Sequence, residues 1–110
     1  MVERDTMAVA VHDAFPVAPG HTLVIPRRHV GSFFELLEAE QFKMLPLLNR
    51  ARARLEREFA PDGYTIGIND GRAAGQTVLH LHLMPRHAAD APDPRGGVRW
   101  VVPCNANDWD

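Results

Sequence analysis

Apolar and polar positions change period several times along the chain, and each change marks an element. Residues 7–11 form a short valine-bearing run of strand type, followed by Asp13, Pro16 and Pro19-Gly20 as turn punctuation. His21-Thr22-Leu23-Val24-Ile25 is a second such run, stopped by Pro26, so two neighbouring strands joined by a proline-rich loop are predicted. The period then lengthens. Ser32-Phe33-Phe34-Glu35 has the form of a capping box, in which serine and glutamate each satisfy an exposed backbone N–H, and a helix is expected to start there. Leu48, Ala51, Leu55 and Phe59 recur at helical spacing, which predicts a long helix from near Glu38 to Phe59. Pro46 cannot donate a backbone hydrogen bond, so a kink or a division into a short and a long helix is expected.

Beyond Pro61-Asp62-Gly63 the period shortens to two. Tyr64-Thr65-Ile66-Gly67-Ile68 alternates as a strand, Asn69-Asp70-Gly71-Arg72-Ala73-Ala74-Gly75 is a loop, and residues 76–84 are predicted as a further strand closed by Pro85. On that strand Val78, His80, His82 and Met84 share one face. After a loop through Gly96-Gly97, Val98-Arg99-Trp100-Val101-Val102 is expected as a last strand. The order predicts an α+β domain with a mostly antiparallel sheet of about five strands and one long and one short helix. One domain over residues 1–110 is expected, with its core at about 7–102 and an exposed tail at 103–110.

Composition narrows the function classes. With 45% hydrophobic residues the chain has material for a core, yet no apolar run approaches the roughly 20 residues of a membrane span. The opening MVERDTMAVAVHD lacks the order of a secretory signal, and the single Cys104 excludes an internal disulfide, so a cytoplasmic protein is expected. Twelve Lys and Arg against fourteen Asp and Glu give a net charge of −2, which offers nucleic acid no general attraction. Arg50, Arg52, Arg54 and Arg57 interleave with Glu56 and Glu58, as on a solvated helix face.

Chemistry concentrates between Asn69 and His82. A small-residue turn precedes Gln76-Thr77, and two histidines follow at i and i+2, which puts both imidazoles on one side of a strand, roughly 6 to 7 Å apart. Backbone N–H groups of the loop, with Asn69, Gln76 and Thr77, are placed to hold anionic oxygens. A neutral imidazole is a competent nucleophile towards phosphorus, and a second one can move a proton near pH 7, so no metal or other cofactor is required. The competing reading is a half-polar sheet face with structural histidines.

HDAFPVAPGHTLVIPRRH, from His12 to His29, and NDGRAAGQTVLHLHLMPR, from Asn69 to Arg86, resemble in order the two halves of histidine-triad (HIT) proteins, over about residues 7–102. The resemblance implies a HIT-like fold, two-fold pairing into a homodimer, a purine nucleotide or dinucleotide as ligand, and attack by a histidine on the α-phosphorus of nucleoside phosphoramidates or dinucleoside polyphosphates. It also implies that Asp13 contacts the ribose, that His29 is an additional active-site histidine, and that Asn69, Gly75, Gln76 and Thr77 bind phosphate. His21 and His87 receive no role from it and are expected to be surface or loop-packing residues.

The family signature is His-x-His-x-His, whereas this chain has only His80-Leu81-His82 before Leu83-Met84-Pro85-Arg86. Read from upstream, His80 and His82 fill the first two positions and Met84 the nucleophile position. Read back from Pro85-Arg86, His82 is the nucleophile, His80 helps hold the phosphate, and Val78 fills the first position. The second register keeps the spacing to Pro-Arg and is the one favoured. A loss of two residues preserves strand parity, so both histidines keep their face in either register. Two rivals remain: a non-catalytic nucleotide-sensing module on the same fold, and a metal site built on His80, His82 and His87.

Overall fold

The computed structural model describes residues 2–107. Five strands, β1 (Glu3–Arg4), β2 (Ala8–His12), β3 (Thr22–Pro26), β4 (Gly63–Ile68) and β5 (Leu81–Arg86), form one sheet in the order β1-β2-β3-β5-β4. Every neighbouring pair is antiparallel. One helix, α1 (Glu38–Phe59), lies across one face of the sheet. Its Met44, Leu47, Ala51 and Leu55 are buried against Ala8, Ala10, Val24, Leu81 and Leu83. Each fully buried Leu or Met contributes about 1.5 to 3 kcal/mol by leaving water, which fixes which face of β5 looks inward.

The helix runs unbroken through Pro46. That residue is exposed, so the carbonyl left without its usual partner faces water and the helix need not divide. The expected short helix is the 3-10 turn Phe33–Glu35, capped by Ser32, whose hydroxyl accepts from the Phe34 N–H. The second partner is not Glu35 but Asp70, whose carboxylate accepts from the Phe33 N–H. At the start of α1, buried Glu40 accepts from the Leu37 N–H and takes a two-point bond from Arg28, which ties the end of β3 to the helix. This bonding, Arg28 first, holds the Glu40 carboxyl below its ordinary range.

Five expectations are corrected. A short strand, β1, precedes the first one predicted. Residues 76–80 lie outside the sheet, and β5 begins only at Leu81. Pro85 does not close that strand but sits within it, because the ladder to β3 ends at Thr22↔Leu83 and no strand on that side needs the N–H that proline lacks. Residues 98–102 form no strand: the 3-10 turn Gly97–Val101 follows Gly96 and Gly97 at φ 92° and 48°, and Arg99 donates to the carbonyls of Asn105 and Ala106. These local bonds curl the segment back on itself. Ala106 is consequently buried, so the expected tail is exposed at 103–105 and 107 but not throughout, and 108–110 lie outside the described residues.

Candidate functional site

Strand alternation builds the site on the sheet face opposite α1. Leu81, Leu83 and Pro85 are buried in the core, so His82 and Met84 point outwards between them. His82 is paired with Leu23 on one side and Gly67 on the other. A Cβ on Gly67 would meet nothing within 4 Å, so the place beside the imidazole stays open. His80 precedes the strand by one residue and keeps the parity of His82, with ring centroids 5.2 Å apart in a T-shaped arrangement.

A third histidine joins them. His21, just before β3, is 4% exposed, and its Nε2 lies 3.0 Å from His82 Nδ1. This corrects the expectation of a surface position; the loop-packing alternative holds, since the Val17 N–H of the preceding loop donates to its ring, but the contact with His82 was not foreseen. His21 sits two residues before Leu23, so alternation alone places it on the face of His82 once β3 is known to pair with β5. That pairing joins residues about sixty apart and leaves no local pattern in the sequence.

The hydrogen bonds around His21 have a direction. The Val17 N–H donates to His21 Nδ1 at 3.2 Å, so this nitrogen carries a lone pair and the neutral ring carries its proton on Nε2. Asp13 supports that tautomer: its Oδ2 lies 3.4 Å from His21 Nε2, while its Oδ1 accepts from the Phe15 N–H. His21 Nε2–H therefore donates to His82 Nδ1, and a neutral His82 must carry its own proton on Nε2. No hydrogen bond engages the His80 ring among the described residues, which leaves its nitrogens available. Burial lowers all three histidines from their ordinary value of 6.5, so the neutral forms dominate at pH 7.

Two cavities meet at His82. A smaller one of about 280 Å³ is lined by Asp13, Phe15, Leu23, Asn69, Gly75, Gln76, Thr77, Val78, His80 and His82. It gathers seven of the eight residues singled out from sequence. The eighth, His29, is exposed beyond the end of β3 and lines neither cavity. A larger chamber of about 990 Å³ lies between the sheet and the segment 97–102.

The loop between β4 and β5 is stapled rather than free. Asp70 accepts from the Ser32 hydroxyl as well as the Phe33 N–H, and the Gln76 amide accepts from Gly71 N–H and donates to the Gly31 carbonyl. Gln76 thus spends its polar atoms on the main chain, and Gly75, at φ 87°, turns the chain where a side chain would be strained. Asn69 and Thr77 remain open to the cavity.

Asp13, His21 and His82 also offer one donor atom each within 4.8 Å of one another, the spacing of a small metal site. A metal there would have to displace the proton between the two imidazoles. His87 does not join His80 and His82: it follows β5 and lines neither cavity.

Residues 1–89 match the family model described as the HIT domain. Among curated relatives, the bis(5'-nucleosyl)-tetraphosphatase [asymmetrical] of Schizosaccharomyces pombe is 36% identical over 89 residues, covering 79% of this chain and 49% of the relative. The AP-4-A phosphorylase of Mycobacterium tuberculosis is 31% identical over 94 residues, covering 83% of this chain and 48% of the relative. The chain thus spans about half the length of these two curated relatives. A crystal structure of a HIT family protein from Bacillus anthracis superposes with a TM-score of 0.75 at 36% identity, over 80% of this chain and 64% of that one. The five-stranded antiparallel sheet, the single long helix and the family match over most of the length agree, and the chain belongs to the HIT family.

Proposed function

We propose that this domain binds a purine nucleotide with its ribose at Asp13 and its α-phosphate beside Asn69, Thr77, His80 and His82, and that it cleaves nucleotide conjugates at the α-phosphorus. The observation that carries this reading is the directed hydrogen-bond chain from the Val17 amide through His21 to His82, which ends at the cavity where His80 is unengaged. It favours a division of labour opposite to the one drawn from the Pro-Arg spacing. His80 supplies the lone pair that attacks phosphorus and forms a nucleotidyl-histidine. His82 presents its Nε2–H to the atom that leaves. Water then hydrolyses the intermediate. Its similarity to a bis(5'-nucleosyl)-tetraphosphatase and an AP-4-A phosphorylase supports nucleotide chemistry for this family domain.

Trapping tests the reading. Incubation with the p-nitrophenyl ester of AMP, followed by alkaline quench and peptide mass spectrometry at neutral to alkaline pH, is expected to place AMP on His80. His80→Asn should abolish the adduct while binding AMP within about tenfold, or 1.4 kcal/mol. An adduct on His82 would restore the other division, and binding without any adduct would make the domain a nucleotide sensor.

A further inference from the structure

We infer that Phe15 is the surface on which the base of the nucleotide stacks, and that the strap 13–17 carries this contact to His21, so that the base speeds cleavage as well as strengthening binding. The inference rests on the nucleotide reading above. It adds a base site and a route from that site to the reacting histidines.

Phe15 is 88% exposed, and a single exposed apolar side chain by itself would need no explanation. This ring, however, lines the smaller cavity together with Asp13, the carboxylate placed at the ribose, whereas Val17 lines only the larger chamber. Phe15 therefore stands on the nucleoside side of the histidines and not on the side of the departing group. Leu23 shares the lining and adds apolar surface there. A ring so exposed loses its contact with water when a flat aromatic ligand covers it.

The polar groups of the cavity leave a base only its faces. Asp13 is taken by the ribose, Asn69, Thr77 and the two histidines by the phosphate, and Gln76 by the main chain. Among the described residues no polar side chain of that lining remains for the edge of a base. Contact with the face of an aromatic ring is what the cavity offers instead, and such a stack strengthens binding roughly fivefold to 150-fold.

The strap that carries the ring also carries the amide that orients His21. The Phe15 N–H donates to Asp13 Oδ1 at 2.9 Å, and Pro16 confines Phe15 to extended backbone while fixing its own φ at about −65°. One residue further on, the Val17 N–H donates to His21 Nδ1 at 3.2 Å. The loop is closed behind it by Asp13 N–H to the His21 carbonyl at 2.9 Å and by His21 N–H to the Ala18 carbonyl at 3.1 Å, so the Val17 bond is the longest of the four. Few soft dihedrals separate Phe15 from the Val17 amide. Holding the ring therefore holds that amide against His21 Nδ1, which keeps the His21 proton on Nε2 and the His82 ring in line. The base is a remote, non-reacting part of the substrate, and binding energy that goes into alignment appears in kcat and not only in KM.

The test compares two p-nitrophenyl esters as substrates of the full chain, that of AMP and that of methyl ribofuranoside 5-phosphate, which lacks only the base. Wild-type kcat is expected to be at least tenfold higher for the AMP ester, about 1.4 kcal/mol in the barrier. Phe15→Ala, a change at an exposed position, should bring that ratio below about threefold, and Phe15→Trp should retain it. Amide hydrogen exchange reads the strap without turnover: AMP should slow exchange of the Val17 N–H at least about tenfold in the wild type and less than about threefold in Phe15→Ala. Calorimetry should find AMP at least about tenfold tighter than ribose 5-phosphate in the wild type, with the gap closing in Phe15→Ala. A wild-type kcat ratio near one, an unchanged ratio in Phe15→Ala, or equal slowing of Val17 exchange in the two proteins overturns the inference. So does light scattering in which Phe15→Ala separates copies of the chain while ligand preference stays that of the wild type, which would place the ring at a contact between copies. In each of these cases an AMP adduct on His80 leaves the nucleotidyl-transfer reading standing. If neither ester is cleaved, the transfer reading falls and the inference falls with it.

Discussion

Replacing His21 by leucine tests the hydrogen-bond chain on which the division of labour depends. Leucine fills most of the space of a side chain that is 4% exposed, but it leaves the Val17 N–H and His82 Nδ1 without their partner. Two hydrogen bonds at about 0.5 to 1.5 kcal/mol each set the loss at roughly 1 to 3 kcal/mol, with the lower part of that range applying if water from the adjoining cavities substitutes. For a domain of this size, about 2 kcal/mol corresponds to a fall in melting temperature of roughly 10 °C. Long-range ¹H–¹⁵N NMR of the imidazoles reads the tautomer directly. Wild-type His82 should appear as the Nε2–H form, and in His21→Leu the two tautomers should mix, with kcat falling about tenfold or more because the ring is no longer held. A wild-type His82 protonated on Nδ1 would refute the reasoning, as would a His21→Leu variant with unchanged tautomer and turnover.

Gly20→Ala should lower stability by roughly 1 to 3 kcal/mol in chemical unfolding, because φ is +86° and the new Cβ would lie 2.8 Å from Leu55 and Phe59 carbons. Stability should also fall as pH drops below 6.5: burial lowers the folded-state pKa values of His21, His80 and His82, so the unfolded chain takes up protons first, and a melting temperature flat from pH 7.5 to 5 would contradict this. Asp70→Ala frees the Ser32 hydroxyl and the Phe33 N–H, and should weaken AMP binding about threefold to tenfold by calorimetry while costing about 1 to 2 kcal/mol of stability. Strand β4 has a neighbour only in β5 among the described residues, so two copies should pair along that free edge; light scattering that finds a monomer at micromolar concentration would dispose of this.

What could be read from sequence depended on how local its cause was. The helix was legible because Ala51 and Leu55 carry a 3.6-residue period, and its bounds, Glu38 and Phe59, coincide with the expected ones. The outward position of His82 was legible because alternation needs only the strand itself. Residues 98–102 misled because valines and a tryptophan suit a strand, whereas the two preceding glycines with positive φ and the Arg99 bonds to carbonyls decide the conformation. The contact of His21 with His82 was missed because its partner lies on another strand, and no spacing within the chain encodes that.

The same contrast explains how a shortened histidine motif can still build a site. Within a strand, losing two residues returns every side chain to its own face, so Leu81 and Leu83 remain in the core and His82 remains outside. The loss must then be absorbed where no ladder fixes the register. Residues 76–80 provide such a place, since they connect the loop to β5 without pairing to either neighbour. The consequence falls on Gln76: drawn towards the Gly31 carbonyl and the Gly71 amide, its side chain closes the loop. Phosphate oxygens are then left to Thr77, Asn69 and the histidines. On this argument Gln76→Ala should act through loop order, lowering the affinity for AMP together with the melting temperature. An affinity loss with no change in melting temperature would instead return Gln76 to the phosphate.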